Sequence, residues 1–258
     1  SFVNAFVWRL HEKQNKHSRF KNKNLSISTG RSICVHCGKQ LSYKDLVPVI
    51  SWLWLRGRCR YCGKFISDTP FTEVATPIIF ILSYIYWPYS FSGSNLLLFI
   101  FWLIFVAGFM ILLVYDFRWQ LLPNVVVYPL MGLGFVQLFV EVISGAGVNR
   151  LIGALWGVVF GAGIFWLLYQ LSNGKLIGGG DVKLGVVYGI LLGGPINALL
   201  CIFIASTMGT LVSVPLIIAG KANKATKIPF GPYLIIATII VYIFGHSIVD
   251  WYKNLIGI

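Results

Sequence analysis

The chain has 258 residues, of which 57% are hydrophobic and only 11% are charged, and its mean hydropathy is +0.78. A soluble domain carries roughly 25% charged residues, so this composition excludes the soluble classes and indicates a protein with several membrane spans. The formal net charge is +13.

The first residues resemble the end of a helix. Residues 1–8 are mostly apolar and do not begin with Met. Leaving an apolar stub of this kind in water is costly, so we expect residues 1–10 to be the end of a first span whose start is missing. The full protein would then have about eight spans.

A strongly basic segment follows. Residues 9–64 hold 13 of the 21 basic residues, against Glu12 and Asp45 as the acids. The positive-inside rule places such a segment in the cytoplasm, next to anionic lipids. Topology already explains the charge, so nucleic acid is not an expected partner. We predict a cytoplasmic loop domain over 11–69 and a membrane domain over 70–258.

Four cysteines lie in this loop as a short repeat, C-x-x-C-G-K, with 21 residues between the two copies' inner cysteines. They are Cys34, Cys37, Cys59 and Cys62. Four thiolates suit a closed, structural zinc site. The 21-residue spacing between the two cysteine pairs is one residue longer than the usual range for such sites. Two disulfides are the alternative, which a reducing cytoplasm disfavours. We interpret His36 as a solvated loop residue and Cys201 as core packing.

Seven further segments are apolar enough to be spans, which need about 20 residues. They cover about 71–88, 95–115, 122–143, 151–171, 182–194, 196–219 and 230–250. The segment 182–194 is short and rich in glycine, so we expect an incomplete span packed within the bundle. The predicted fold is an all-α polytopic membrane protein, a bundle of about seven to eight transmembrane helices with a small zinc-ribbon-like loop domain.

Loop charges orient these segments. The loops 89–94 and 144–149 are uncharged and are predicted outside, whereas Lys175 and the three lysines of 221–227 are predicted inside. Asp116 and Asp181 then both face the cytoplasm. If the short segment 182–194 does not cross, everything after it inverts.

Asp116 and Asp181 are two of only eight acidic residues, and each stands where an apolar segment meets a loop. Acids there are costly and need a reason. Two close carboxyls share a proton, so one can act as a base on water while the other polarises a carbonyl, as in aspartic proteases. The structural alternative is that Asp116 ends a helix beside Arg118 and that Asp181 is an N-cap.

Five elements together resemble the type IV prepilin peptidases, membrane aspartic proteases of the GxGD class. They are the stub 1–4 with Arg9-Leu10, the two cysteine knuckles, the segment 116–124, the Gly-Gly-Gly-Asp-Val-Lys-Leu run of 178–184, and 228–233. One departure is Asn124, where the family usually has Asp. This leaves Asp116 and Asp181 as the candidate catalytic pair.

The resemblance implies substrates that are prepilins or pseudopilins, with a short basic leader in the cytoplasm and an apolar helix in the bilayer. Cleavage would follow a glycine at that boundary. Many members also N-methylate the new terminus with S-adenosylmethionine, an activity associated with the zinc loop. No independent methyltransferase signature accompanies it in this sequence.

We expect the substrate to contact residues around the acids: Gly178, Gly179, Gly180, Lys183, Pro229 and Gly231. The glycines would let a bound strand approach closely. Alternatively, the three glycines 178–180 are only a loop before a helix. The segment that contains Pro229 is, in the same way, only the start of a helix. Lys183 should point away from the Asp181 carboxylate, toward headgroups or backbone.

Three other classes of protein remain open. A transporter with an Asp relay would place its site near the bilayer midplane, whereas both acids here are at one surface. A zinc-ribbon membrane scaffold would have no chemistry. A presenilin-like intramembrane protease would share the two acids without needing the zinc loop.

Overall fold

The computed structural model describes residues 2–15, 26, 30–66, 70–220 and 229–257. The predicted inside loop 221–227 therefore lies outside the described residues. The chain divides into two compact units, Ser1–Leu82 and Ser83–Ile258.

The N-terminal unit contains helix α1 (Phe2–Gln14), a short 3₁₀ turn (Tyr43–Asp45), α2 (Ile50–Trp54) and the start of α3 (Phe71–Ile85). Within the part of the chain that the structure describes, β-pairing is limited to two isolated antiparallel bridges, Ile33–Gln40 and Arg58–Phe65. Each bridge closes one cysteine knuckle.

The described residues of the C-terminal unit form helices joined by short loops. Its long helices are α4 (Ser94–Trp119), α5 (Asn124–Glu141), α6 (Gly147–Ser172), α7 (Gly179–Leu192), α8 (Pro195–Ile218) and α9 (Gly231–Ile256). Each of the seven predicted segments corresponds to one helix from α3 to α9. Four helical stretches of the described residues are long and apolar enough to cross a membrane, and one of these covers both α5 and α6. The predicted all-α polytopic membrane fold is confirmed.

A glycine kink separates α5 from α6 within a continuous helical stretch of 49 residues. A straight helix of that length would measure about 74 Å, against a hydrocarbon core of about 30 Å. The π-helical turn Val142–Ala146 contains Gly145 at φ 109°, and Gly147 follows at φ 64°. These conformations favour glycine, and they let α5 and α6 fold back into contact with each other.

Helix α7 is short and contacts α5, α6, α8 and α9. It has 14 residues, and nearly all of its second half is buried. A helix too short to span a bilayer is tolerated where protein surrounds it. The predicted short segment within the bundle is therefore present, beginning at Gly179 rather than residue 182.

A seam of small residues joins α6 to α7. Its glycines are Gly153, Gly157 and Gly161 on α6, Gly185 and Gly189 on α7, and Gly193, the C-cap of α7. A Cβ on Gly157 would run into the carbonyl oxygen of Gly189, and a Cβ on Gly185 would lie 2.7 Å from the Cα of Ala162. Backbones this close are typical of small-residue packing between membrane helices.

Candidate active site and metal centre

Asp116 lies in the last turn of α4 and is only 5% exposed. The backbone N–H of Gly231, the first residue of α9, donates a hydrogen bond to its carboxylate. A Cβ on Gly231 would run into the same carboxylate. Asp116 is thus held by the start of a different helix. This contact would not be needed if Asp116 served only to end α4 beside Arg118.

Asp181 is the third residue of α7. The helix begins at Gly179 and its N-cap is Gly178, so the alternative that Asp181 is itself the N-cap is wrong. Its carboxylate accepts a hydrogen bond from the backbone N–H of Gly178. This contact is the half of a capping box in which the third helical residue bonds back to the N-cap.

The fold brings the two acids together. Asp116 is near enough to Asp181 to interact with it electrostatically, although α4 and α7 carry them 65 positions apart in the chain. Two carboxylates that repel each other favour a state in which one is protonated and the other is ionised. The arrangement can therefore supply a base and an acid at one place.

The three predicted glycines differ in their surroundings. A Cβ on Gly180 would lie 3.0 Å from the Cβ of Leu122, so this glycine packs against the chain that follows α4. A Cβ on Gly178 would lie 3.5 Å from the Asp181 carboxylate, and one on Gly179 would lie 3.8 Å from the Tyr169 ring. Other parts of the protein therefore already occupy some of the space that these glycines leave open.

Lys183 has a side-chain partner in the described residues. Its Nζ donates to Oδ1 of Asn124 over 2.8 Å and lies 5.3 Å from the centre of the Tyr128 ring. Both partners belong to the first turns of α5, so the lysine links α7 to α5. The expectation of a headgroup or backbone partner did not anticipate this bond.

Pro229 lines a groove of about 370 Å³ between the start of α9 and the second half of α8. Phe230 and Tyr233 line it from the α9 side, and small or hydroxyl-bearing residues such as Gly209 and Thr210 line it from α8. The hydroxyls of Thr210 and Ser213 donate to the carbonyls of Ser206 and Gly209 on the same helix, so these two donors of the α8 wall are already used.

The four cysteines converge in the N-terminal unit. Their sulfur atoms all lie within 4.8 Å of one another, and the Sγ atoms of Cys34 and Cys62 are 3.9 Å apart. A tetrahedral site with zinc–sulfur bonds of about 2.3 Å needs sulfur–sulfur separations of about 3.8 Å. The cluster therefore fits a metal ion of this size, and all four thiols are free rather than paired as disulfides.

The two knuckles repeat one backbone pattern. Cys34 N–H donates to the carbonyl of Lys39 and Cys59 N–H to that of Lys64, both over 2.9 Å. Gly38 and Gly63, which follow the second cysteine of each knuckle, both have φ 66°, a conformation that favours glycine. His36 is exposed and its Nε2 lies 3.1 Å from the carbonyl oxygen of Phe65, which ties the first knuckle to the second.

The thiols of the cluster do not ionise alike. Burial raises the pKa of Cys34 to about 12. Burial also acts to raise the pKa of Cys59, but backbone N–H groups of Tyr61 and Cys62 hydrogen-bond its sulfur and lower the pKa to about 7. A bound dication would favour the thiolate form of all four cysteines.

Known proteins resemble the chain over both units. A family model described as the bacterial peptidase A24 N-terminal domain matches residues 1–87, and one described as the type IV leader peptidase family matches residues 103–214. A prepilin leader peptidase/N-methyltransferase of Xanthomonas campestris is 33% identical over 223 residues, covering 86% of this chain and 75% of the relative. The chain belongs to the type IV leader peptidase family.

Two further relatives, both named prepilin leader peptidase/N-methyltransferase, support membership of the type IV leader peptidase family. The Bacillus subtilis protein is 32% identical and covers 88% of this chain and 87% of its own length. The Pseudomonas aeruginosa protein is 29% identical and covers 100% of this chain and 90% of its own. No solved structure matches the chain significantly.

Family membership confirms the resemblance that the motifs indicated, and it identifies the chain as a multi-pass protein of the inner membrane. Sequence reasoning missed one polar cluster in the C-terminal unit, formed by Gln137, Glu141 and Arg150. A signal was available, because charged residues next to apolar segments are costly and rarely without a partner.

Proposed function

We propose that this member of the type IV leader peptidase family is a membrane aspartic endopeptidase. It removes the short basic leader of prepilins or pseudopilins at the cytoplasmic face of the inner membrane. The observation that carries the proposal is the meeting of Asp116 and Asp181, from two different helices, at electrostatic range.

The reaction follows from one shared proton. The ionised carboxyl accepts a proton from water, whose oxygen attacks the scissile carbonyl, while the protonated carboxyl donates a hydrogen bond to the carbonyl oxygen. As the tetrahedral intermediate collapses, the carboxyl that took the proton from water gives it to the leaving nitrogen, and the C–N bond breaks to leave a carboxyl on the leader and an amine on the mature chain. The N–H groups of Gly231 and Gly178 hold the two carboxyls in orientation.

Substrate contacts are proposed around this pair. The glycine turn 178–180 and Gly231 border the acids, and Lys183 lies two residues beyond Asp181. The groove beside Pro229 lies next to Gly231 in the chain, and it is apolar enough to take residues of the substrate's apolar segment. Anionic lipids are proposed to attract the basic loop, and no nucleic-acid partner is expected.

The metal of the cysteine cluster is proposed to be zinc. Cys34, Cys37, Cys59 and Cys62 would fill all four positions of a tetrahedral ion, so the metal holds the loop domain together and takes no part in hydrolysis.

N-methylation of the new terminus is proposed from the name of the relatives and the family resemblance. A cavity of about 170 Å³ in the N-terminal unit is lined by Trp8, Trp52, Asp45 and Glu73 among others. Asp45 is already paired with Arg60, and Glu73 accepts a hydrogen bond from the N–H of Val49. These contacts do not mark a S-adenosylmethionine site, and no step is assigned to the cofactor.

The decisive experiment replaces Asp116 and Asp181 separately by Asn and measures cleavage of a prepilin in membranes. Each variant should lose nearly all activity, because neither carboxamide can take the acid or base role. Asp250→Asn, in the last turns of α9, is the matched control and should cleave normally. Full activity of either Asp116→Asn or Asp181→Asn would end the proposal.

Mass spectrometry of the product separates the remaining possibilities. A new terminus directly after the leader glycine supports leader removal, whereas cuts deep in the apolar segment indicate a presenilin-like protease. A mass increase of one methyl group on the new terminus would establish the second activity.

A further inference from the structure

The position of Asp181 depends on the position of the whole of α7. Asp181 is in the first turn, and Leu191 is ten residues further on, about 15 Å along the helix. A short helix moves as a rigid rod, so a shift at one end shifts the other. Catalytic groups tolerate little displacement, and a misplacement of about 1 Å can cost about a hundredfold in rate.

The glycine seam brings the backbone of α7 close to that of α6, but the glycines themselves offer no polar side chain that could fix the axial position of α7 through a hydrogen bond. Side chains that would interdigitate are absent at its six glycine positions. One tie crosses the seam near its middle, where the Tyr188 hydroxyl donates to the carbonyl of Gly161 over 3.0 Å. The ends of α7 therefore need further anchors.

Arg150 of α6 anchors the C-terminal end of α7. Its Nη2 donates to the carbonyls of Ile190 and Leu191 over 2.9 and 3.3 Å. These carbonyls belong to the last turn, where a helix leaves its acceptors unsatisfied and favours a cation. Gly193 makes room for this contact, since a Cβ there would run into the guanidinium group.

Glu141, at the end of α5, holds Arg150 in place. Its Oε2 accepts from Nε of Arg150 over 2.6 Å, and the two side chains are only 15% and 17% exposed. Its other oxygen, Oε1, accepts from Nε2 of Gln137 over 2.8 Å. The pairing compensates both charges, so the guanidinium can face the α7 carbonyls.

The cluster continues to the helices that form the other half of the candidate site. Nε2 of Gln137, a residue only 1% exposed, lies 3.4 Å from the hydroxyl of Tyr242 on α9. The Tyr242 ring stacks on Trp102 of α4, with centroids 4.0 Å apart and planes at 9°. Helix α4 carries Asp116, and α9 carries Gly231. The helices that meet at the acids are thus also tied to one another at this second place.

We propose that Arg150, held by Glu141, is a positioning residue for Asp181. By bonding the last carbonyls of α7 it fixes the axial position of that helix, and with it the separation of Asp181 from Asp116. This inference rests on the proposed catalytic role of the two aspartates.

Two variants test the inference in the full-length protein, with kcat and KM measured on a prepilin. The double variant Glu141→Gln/Arg150→Gln removes both charges together and so leaves no buried charge uncompensated. We expect kcat to fall by about tenfold or more while KM stays within about twofold, because the dyad is displaced and the substrate surface is not. Arg150→Lys keeps the charge and should recover part of kcat.

A purely structural role would lower the folded fraction and leave the shape of the pH profile unchanged. Carboxyls that are further apart interact less, so their two titration steps lie closer together. The range of pH over which one carboxyl is protonated, and over which kcat is high, should therefore narrow in the double variant. Asn149→Ala, at the exposed neighbouring position, is the control and should match the parent. A parental kcat in the folded double variant, or a fall in kcat that follows the folded fraction with an unchanged profile, would overturn the inference. Retained activity in Asp181→Asn would instead overturn the proposed function.

Discussion

At the scale of single residues, each aspartate is oriented by the N–H group of a glycine. Gly231 bonds Asp116 from the start of α9, and Gly178 bonds Asp181 from the cap of α7. A charged acceptor makes a strong hydrogen bond, so these contacts restrict the carboxyls to one orientation. At Gly231 the absence of a side chain is itself required by the nearby carboxylate.

Gly231→Ala should therefore lower cleavage without unfolding the protein. The added methyl group would run into the Asp116 carboxylate and turn it away from Asp181. We expect kcat for prepilin cleavage to fall by about tenfold or more. Gly132→Ala, where an added Cβ meets nothing within 4 Å, should behave like the parent. Equal rates in the two variants would show that Asp116 does not need this space.

Metal content tests the cysteine cluster. Cys59→Ser should reduce bound zinc from about one ion per chain to a small fraction, because three thiolates hold zinc far less tightly than four. Cys201→Ser is the matched control, since Cys201 belongs to the C-terminal unit, where it is buried in α8 and its sulfur lies 3.4 Å from the Thr238 hydroxyl. Elemental analysis of the purified proteins measures both, and equal zinc in both variants would contradict the site.

At the scale of helices, α7 has two unlike kinds of contact with α6. The glycine seam sets how closely the two backbones approach, and the Arg150 contact at the end is directional. Close packing of this kind is a main source of helix association in membranes, where lipid offers no hydrophobic driving force. The seam should therefore be sensitive to any added side chain.

Gly157→Val tests the seam. Its Cβ would run into the carbonyl oxygen of Gly189, which backbone atoms cannot easily avoid, so the variant should lose about 1–3 kcal/mol of stability. Gly163→Val, two turns along the same helix in open space, should change stability by less than about 0.5 kcal/mol. Thermal unfolding in detergent measures the difference, and a similar loss in both variants would contradict close packing at Gly157.

At the scale of the whole molecule, the charge of the loops predicts how the chain is oriented in the membrane. The uncharged loop 89–94 precedes α4, whereas Lys175 lies in the loop between α6 and α7. The positive-inside rule predicts that these loops lie on opposite sides, and it predicts both aspartates on the side of Lys175. That side is where a basic leader remains when its apolar segment enters the bilayer.

Labelling of intact cells checks this orientation. A membrane-impermeant maleimide should label Ser92→Cys without permeabilisation and Leu176→Cys only after it, because the first position is predicted outside and the second inside. The protein without an added cysteine gives the background. Labelling of Leu176→Cys in intact cells would invert the proposed sidedness of the candidate active site.

The sequence sufficed for features that depend on local pattern. Apolar runs located α3 to α9, the shortness of 182–194 anticipated a helix enclosed by others, and C-x-x-C spacing predicted the convergence of Cys34 with Cys59. It did not predict contacts that depend on how each helix is rotated. Gly231 meets Asp116 across 115 positions, and Arg150 bonds the carbonyls of Ile190 and Leu191 across 40 and 41 positions.

The repeated knuckle has a consequence for the order of assembly during synthesis. Each turn closes over about six residues through its own backbone hydrogen bonds, so each is able to form as soon as it leaves the ribosome. A metal would then have only to join two ready-made halves, so the entropy lost on binding would come mainly from closing the loop between them. The loop domain can thus be complete before the helices of the C-terminal unit have been translated.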